Sequence, residues 1–118
     1  ALARVEEKGF IQALITQNID YLHQQAGSRA VYEFHGTSRT LICLTCKRHF
    51  NSGQTDLSRL PPHCPHCGGL LKPDFIFFGE AIPEPASTLS YGEAEQADIF
   101  LVIGTTGEIM PAAMIPPL

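Results

Sequence analysis

The sequence predicts an α/β fold, in which a partly represented parallel sheet is joined to a small zinc-binding insert. Short apolar runs alternate with helix-like segments, and three runs end abruptly in polar residues, as strands do at the carboxyl edge of a parallel sheet. In the middle of the chain the apolar runs shorten, turns multiply and all four cysteines appear. We therefore expect three regions: residues 1–38 and 73–118 as the first and the second, truncated, segment of the sheet-bearing part, and residues 39–72 as the zinc-binding module.

The first segment has a helix–strand–helix–strand pattern, which favours a parallel sheet with right-handed crossovers. Gly9 fits the C-cap of the first helix, Asp20 can cap the second helix, and Gly27 ends it. The predicted elements are a helix over residues 1–9, a buried strand over 10–15, a helix over 21–25 and a strand over 30–34.

The second segment repeats the alternation after the insert. Its predicted elements are a strand over residues 75–78, a helix from Pro85 to about Ala97, and a strand over residues 99–103. In the helix, Leu89, Ala94 and Ala97 are the expected inward positions. The last strand is an uninterrupted apolar run rich in β-branched residues, which is typical of a buried strand.

The four cysteines form two CxxC pairs with 17 residues between them, at Cys43, Cys46, Cys64 and Cys67. This spacing matches a zinc site in which each pair is a tight turn that presents two sulfurs, and four thiolates leave no open position for catalysis. Gly68 and Gly69 provide the backbone freedom that the second turn needs. Disulfides are disfavoured because no secretion signal is present, while His63 or His66 in place of a thiolate, and iron in place of zinc, are weaker alternatives.

Composition and charge exclude several classes of partner. Hydrophobic residues make up 44% of the 118 residues and charged residues 17%, which are globular values, and the formal net charge is −4. A negative chain without a basic patch does not favour nucleic acid. No apolar run approaches the roughly 20 residues that span a bilayer, and no signal peptide opens the chain. We expect a cytoplasmic protein without a membrane partner, with a nuclear location left open.

The polar residues that follow the predicted strands form a candidate site. Gln17, Asn18 and Asp20 follow the first strand, His35 follows the second, and Gly104-Thr105-Thr106 follows the last. Each has a simpler explanation alone: a helix cap, a turn residue, or a histidine satisfied in the core. Together, at one sheet edge, they predict a shared pocket.

Three motifs in this region resemble the sirtuin family of NAD-dependent protein lysine deacylases. They are TQNID at Thr16–Asp20, LHxxAG at Leu22–Gly27 and FHG at Phe34–Gly36, and the likeness continues to GTTGEIMPAA near the end of the chain. The resemblance implies a Rossmann-like fold and a reaction that transfers an acyl group from a substrate lysine to the ADP-ribose moiety of NAD, with release of nicotinamide. It also implies NAD and Zn²⁺ as cofactors and an acyl-lysine protein or peptide as partner.

The resemblance also implies roles for individual residues. His35 matches the general base that takes a proton from a ribose hydroxyl, a role that suits histidine because it titrates near neutral pH. The residues implied in cofactor binding are Gln17, Asn18, Ile19, Asp20, Gly104, Thr105 and Thr106. The residues implied in substrate binding, by strand addition beside a lysine tunnel, are Ile76, Phe78, Gly79 and Glu80. Gly107 departs from the family pattern, which has an apolar residue there.

Two further expectations concern the extent of the site. No Gly-rich phosphate loop follows a strand in this chain. We therefore expect the sequence to be the central segment of a longer catalytic domain, and these 118 residues alone to bind NAD poorly and to show no deacylation. The competing hypothesis is a zinc-ribbon module that binds protein or nucleic acid without catalysis, which the negative charge disfavours.

Overall fold

The computed structural model describes residues 1–116, so the last two residues of the predicted second segment lie outside the described part. Its regular elements are α1 (Leu2–Glu7), β1 (Leu14–Thr16), α2 (Leu22–Gln25), β2 (Val31–Glu33), β3 (Gly36–Cys43), β4 (His49–Asn51), β5 (Leu71–Phe75) and α3 (Ala86–Gln96), with 3₁₀ turns at Ser52–Gln54 and Ala112–Met114. They form a parallel pair, β1-β2, and an antiparallel sheet in the order β4-β3-β5. The predicted α/β class with a separate insert is confirmed.

The parallel pair is shorter than the apolar pattern predicts. β1 and β2 pair from Leu14 opposite Val31 onward, and α2 lies in the connection between them. The first hydrogen bond between the two segments is donated by Leu14 N to Ala30 O, at 2.8 Å. Within residues 1–116, the residues before Leu14 have no strand opposite them, so the predicted strand over 10–15 is wrong at residues 10–13, and Phe10 is 78% exposed.

Both predicted short helices are present but slightly shorter than predicted, with Lys8 and Ala26 as their C-caps and Gly9 and Gly27 directly after them. Gly9 has a φ of 79° and donates its N–H to Glu6 O at 2.8 Å, which closes α1. The Asp20 Oδ1 atom accepts from Leu22 N at 3.0 Å at the start of α2, and Gly27 follows that helix with a φ of 101°.

The insert contains the longest strand of the described chain. β3 pairs with β4 on one side and with β5 on the other, and both pairings are antiparallel. The buried residues of its core are Leu41, Cys43, Cys64 and Leu71, with Phe50 packed against them. The sheet runs from Gly36 to Phe75 and so extends beyond residues 39–72; those boundaries stay a prediction.

The helix after the insert packs against the parallel pair. Phe34, which is fully buried, contacts the cluster of Ala94, Ala112 and Ile115, and its ring meets Tyr91 edge-on at 6.3 Å. Tyr32 donates its hydroxyl to Glu93 Oε1 at 3.0 Å. Ala94 is inward as predicted, whereas Leu89 is 41% exposed and Ala97 is exposed, because only one narrow face of α3 meets β2.

Two of the predicted strands are absent from the described chain. Residues 76–78 leave β5 and enter a turn, in which Glu80 N donates to Phe77 O at 3.0 Å and Phe78 is 96% exposed. Residues 99–103 are irregular, and Ile99 is 87% exposed. A strand needs a continuous ladder of hydrogen bonds to a neighbour. Within residues 1–116, the bond from Ile76 N to His35 O at 3.0 Å does not continue as a ladder along residues 76–78, and residues 99–103 belong to neither sheet. No helix in that range is long and apolar enough to cross a membrane.

Candidate functional site

The loop after β1 lies against the exit of β2. Phe34 N donates to Thr16 O at 2.9 Å, and the His35 Nδ1 atom is 3.1 Å from Gln17 O. Ser38, three residues after His35, donates both its backbone N–H and its Oγ hydroxyl to Ile19 O, at 3.0 and 2.8 Å. The predicted convergence of residues 17–20 with His35 is therefore present in the structure.

The partner of His35 determines which ring nitrogen can act as a base. A carbonyl oxygen only accepts, so the contact with Gln17 O requires a proton on Nδ1. In the neutral ring this leaves the lone pair on Nε2. The half-buried ring also lies 5.7 Å from the ring of Phe34, which belongs to the core. The imidazole is thus held from two sides.

The segment after residues 99–103 joins the same site. Gln17 Nε2 donates to Thr105 Oγ1 at 3.4 Å, and Thr105 Oγ1 also accepts from Gly107 N at 3.2 Å. Thr106 turns its hydroxyl to Glu108 Oε2 at 3.4 Å. The structure therefore brings Gln17, Thr105 and His35 to one edge, while Thr106 contacts a different partner.

Two residues of the first motif have structural tasks within it. Asp20 caps α2, which was the simpler explanation for this carboxylate, and Asn18 N donates to Thr16 Oγ1 at 3.1 Å. These contacts set the backbone path between Thr16 and Leu22. The roles of Asn18, Ile19 and Asp20 toward a cofactor stay predictions.

The predicted substrate segment is a turn beside His35. Ile76 N donates to His35 O at 3.0 Å, so this residue adjoins the candidate base. Glu80 Oε2 accepts from Phe77 N and from Lys72 Nζ, each at 2.8 Å. The Lys72 ammonium, followed by the Phe77 N–H, lowers the pKa of Glu80 below its usual value. Gly79 has a φ of 86°, which permits the turn.

The four cysteine sulfurs form a compact cluster. All four lie within 4.8 Å of one another, with Cys43 to Cys67 at 3.5 Å and Cys46 to Cys64 at 3.7 Å. The roughly 2.3 Å bonds of a tetrahedral zinc site place sulfurs about 3.8 Å apart, so the cluster has the dimensions that zinc requires. The cysteines are free, which overturns the disulfide alternative.

The electrostatics of the cluster also fit a cation. The backbone N–H of Cys46 is the main cause that lowers the pKa of Cys43 to about 6. The Gly69 N–H favours the thiolate of Cys67, but hydrogen bonds with neighbouring sulfurs and burial raise the pKa of Cys67 to about 11. Burial opposes ionisation of Cys64, but the backbone N–H groups of Cys67 and His66 outweigh it and lower the pKa of that thiol as well. Two sulfurs thus favour the thiolate, and ionisation of Cys67 needs a compensating positive charge.

The neighbouring histidines lie outside the cluster, as the spacing predicts. His63 Nδ1 is 2.9 Å from Gly68 O, and the His66 ring lies 6.1 Å from the ring of Phe50. Gly68 has a φ of 73°, as expected after a CxxC turn. Gly69 is required for another reason, because a Cβ there would meet the side chain of Thr45.

Four residues next to these sites were not found by sequence reasoning. Lys72 neutralises Glu80, Ser38 holds Ile19, and the Arg39 guanidinium lies 4.4 Å from the centre of the Tyr21 ring. Only the position of Ser38 and Arg39, two and three residues after the FHG motif, was a usable signal.

The fold and the two sites define a Rossmann-like α/β protein with a four-cysteine metal-binding insert. The model of the Sir2 family matches residues 1–111. The chain belongs to the Sir2 family.

Relatives of known sequence agree with this assignment. The chain is 46% identical over 121 residues to the NAD-dependent protein deacylase of Pyrococcus furiosus, covering 98% of this chain and 48% of the relative. It is 45% identical over 120 residues to the NAD-dependent protein deacetylase of Sulfurisphaera tokodaii, covering 98% and 47%. The chain spans about half the length of the curated relatives it matches.

Solved structures match over the same extent. A Sir2 bound to acetylated peptide superposes with a TM-score of 0.93 at 39% identity, covering 98% of this chain and 50% of that chain. A complex of a Sir2 homolog with NAD has a TM-score of 0.92 at 38% identity, covering 98% and 45%. The sirtuin resemblance of the sequence motifs is therefore confirmed.

Proposed function

We propose that the protein acts as an NAD-dependent protein lysine deacylase, which transfers the acyl group to the ADP-ribose moiety with release of nicotinamide. The observation that supports this most directly is the hydrogen bond between His35 Nδ1 and Gln17 O. It leaves Nε2 as the basic nitrogen, at a sheet edge that also presents the Gln17 amide and the Thr105 hydroxyl. Membership of the Sir2 family and the names of the relatives favour the same activity.

In this proposal, one set of residues would bind NAD and another residue would transfer a proton. When bound, NAD supplies the nicotinamide leaving group and the sugar that receives the acyl group. The residues proposed to hold it are Gln17, Asn18, Ile19, Asp20, Gly104, Thr105 and Thr106. The Gln17–Thr105 contact fits this assignment, because it brings an amide and a hydroxyl from distant parts of the chain to one edge.

His35 is the proposed general base. Its Nε2 atom would accept the proton of a ribose hydroxyl, and the positive ring would remain hydrogen-bonded to Gln17 O through Nδ1–H. The carbonyl therefore orients the ring before the transfer and stabilises it afterwards. A base whose orientation is fixed in advance contributes typically about 10²–10⁴-fold to the rate.

The acyl-lysine substrate is proposed to bind along residues 76–80. Ile76 is hydrogen-bonded to the backbone of His35, which places this segment beside the base. The Lys72–Glu80 ion pair holds the turn, and Phe78 and Gly79 at its tip are open to an extended peptide. The zinc held by the four cysteines would support the strands and take no part in the reaction.

The test is nicotinamide release by the full-length protein with NAD and an acetyl-lysine peptide. We expect peptide-dependent release, and we expect His35→Ala to reduce turnover by at least about 100-fold with unchanged zinc content. His63→Ala is the matched control, because its ring contacts Gly68 in the metal-binding turn and not the segment of His35. Near-normal turnover of His35→Ala would exclude the proposed base. Full zinc occupancy without any nicotinamide release would favour the non-catalytic zinc-ribbon hypothesis.

A further inference from the structure

The carbonyl of Ile19 accepts hydrogen bonds from both donors of one residue of β3. Ser38 N donates to Ile19 O at 3.0 Å and Ser38 Oγ donates to the same oxygen at 2.8 Å. Ile19 lies in the middle of residues 17–20, which we call the cofactor loop. The contact joins this loop to β3 over a separation of 19 residues.

A second contact joins Arg39, the residue after Ser38, to Tyr21, two residues after Ile19. The Arg39 guanidinium lies over the Tyr21 ring, 4.4 Å from its centre. Tyr21 has a φ of 65°, a left-handed conformation that residues with a Cβ rarely adopt. The Arg39 cation over the Tyr21 ring favours this backbone conformation, because the cation–π contact would be lost if Tyr21 adopted another φ. The end of the cofactor loop is thereby held beside β3.

An irregularity in β3 makes the first contact available. The register between β3 and β5 shifts between Gly36 and Leu41, so the residues between them do not follow the regular ladder with β5. This frees Ser38 N to donate to Ile19. Beyond the shift, β3 pairs regularly and ends at the metal ligand Cys43. One strand therefore joins the loop anchor to the cysteine cluster.

We propose that Ser38, Arg39 and Tyr21 form a positioning anchor that holds the cofactor loop on the metal-bearing strand. None of the three touches reacting atoms in this scheme; they act through Ile19 and its neighbours Asn18 and Asp20. The inference rests on the proposed function, because the loop is a cofactor site only if the protein uses NAD. It predicts that loosening the anchor weakens NAD binding more than it slows the chemical step or weakens peptide binding.

The activity test uses Ser38→Ala and the conservative variant Ser38→Thr in the full-length protein. Losing one of two hydrogen bonds to Ile19 O should raise the KM for NAD about threefold to tenfold. Turnover at saturating NAD, the KM for the peptide and zinc content should change by less than about twofold. Ser38→Thr keeps the hydroxyl and should restore the KM for NAD. An unchanged KM in Ser38→Ala would overturn the proposal, as would a raised KM that Ser38→Thr does not restore.

The second contact is tested by a double-mutant cycle of Arg39→Ala and Tyr21→Leu. Each single variant should raise the KM for NAD about twofold to fivefold, and the double variant should be no worse than either one. Arg59→Ala, an exposed arginine in the connection between the two CxxC turns, is the matched control and should have no effect. Multiplicative effects in the double variant would show that the two side chains act independently.

Hydrogen exchange tests the anchor without reference to activity. Ser38→Ala and Arg39→Ala should accelerate exchange in peptides covering residues 17–22 and leave residues 41–51 unchanged. Unchanged exchange in both regions would overturn the anchor. Faster exchange in a protein that releases no nicotinamide would retain the anchor and reject the proposed function, so the two failures are distinguishable.

Discussion

The metal-binding insert and the parallel pair of strands build their cores in different ways. In the insert, an eight-residue central strand has a neighbour on each side, and the core residues all come from positions 41–71. In the flanking part, the paired strands have three residues each, and the core joins Phe34 to Ala94, Ala112 and Ile115 from distant segments.

The flanking part exposes one continuous run of large apolar side chains, whereas the exposed leucines of the insert are scattered along it, at Leu44, Leu57, Leu60 and Leu70. Large apolar side chains are exposed along the whole of residues 99–103, with Leu101 at 70%. In the insert, two metal ligands are themselves buried core residues, Cys43 and Cys64. The core of the insert is therefore stabilised by the metal site and by residues 41–71, whereas the core of the flanking part depends on contacts between segments far apart in sequence. The predictions below separate these two sources of stability.

Metal removal should have the largest effect, and it should be confined at first to the insert. Structural zinc contributes on the order of 10 kcal/mol to the folding of small zinc domains. We expect Cys43→Ser or a strong chelator to abolish stoichiometric zinc and to accelerate hydrogen exchange in β3, β4 and β5 before β1 and β2. The measurements are metal analysis and exchange by mass spectrometry.

His66→Ala is the control for metal removal, since this ring lies beside Phe50 and outside the sulfur cluster. It should retain one zinc per chain. Equal loss of protection in β1 and in β3 on chelation would contradict the division into two sources of stability.

Truncating Phe34 should produce the next largest effect, this time in the flanking part. Phe34 is fully buried, and replacing such a residue with alanine typically costs about 3–5 kcal/mol. We expect Phe34→Ala to lower the free energy of unfolding by this amount with zinc content unchanged, as measured by denaturant titration and metal analysis. Loss of zinc in this variant would show that the insert depends on the flanking core.

Adding a methyl group at Gly69 should have an intermediate effect on the insert. A Cβ there would meet the Thr45 side chain and lie 3.1 Å from Cys43 Sγ. We expect Gly69→Ala to lower the free energy of unfolding by about 1–3 kcal/mol and to weaken zinc binding in a competition titration. Gly92→Ala is the matched control in the flanking part. Its Cβ meets nothing within 4 Å on α3, so it should stabilise the protein by up to about 1 kcal/mol.

The smallest effect concerns the ion pair that joins β5 to the turn after it. Because the folded-state pKa of Glu80 lies below its ordinary value of 4.5, the pair stabilises the fold fully above that pH. The contribution is lost as the pH falls through the lower folded-state pKa. Glu80→Gln should therefore be less stable than the parent at neutral pH, and the difference should vanish in acid. Denaturant titrations across this range test it, with the exposed Glu95→Gln as the control; a constant difference would contradict the assignment.

The predictions from sequence succeeded where the conformation of a short motif depends only on residues within it. The two CxxC pairs specify tight turns whatever surrounds them, and the sulfurs do form one cluster. Gly9, Asp20 and Gly27 end or begin helices as expected, because capping needs only neighbouring residues. The strand predictions were less accurate at residues 10–13, 76–78 and 99–103. An apolar run indicates burial, but a strand exists only beside a partner, and the run contains no information about that partner.

By itself, the sequence determined the metal-binding pattern, the alternation of helices and strands, and the motifs of the Sir2 family. Each of these depends on residues a few positions apart, for which side-chain chemistry and backbone preference are sufficient. Only the tertiary structure decided which nitrogen of His35 is basic, that Gln17 meets Thr105, and that Ser38 holds Ile19. Those contacts join segments 18 to 88 residues apart, and their formation depends on how the strands pair and where β3 departs from its ladder.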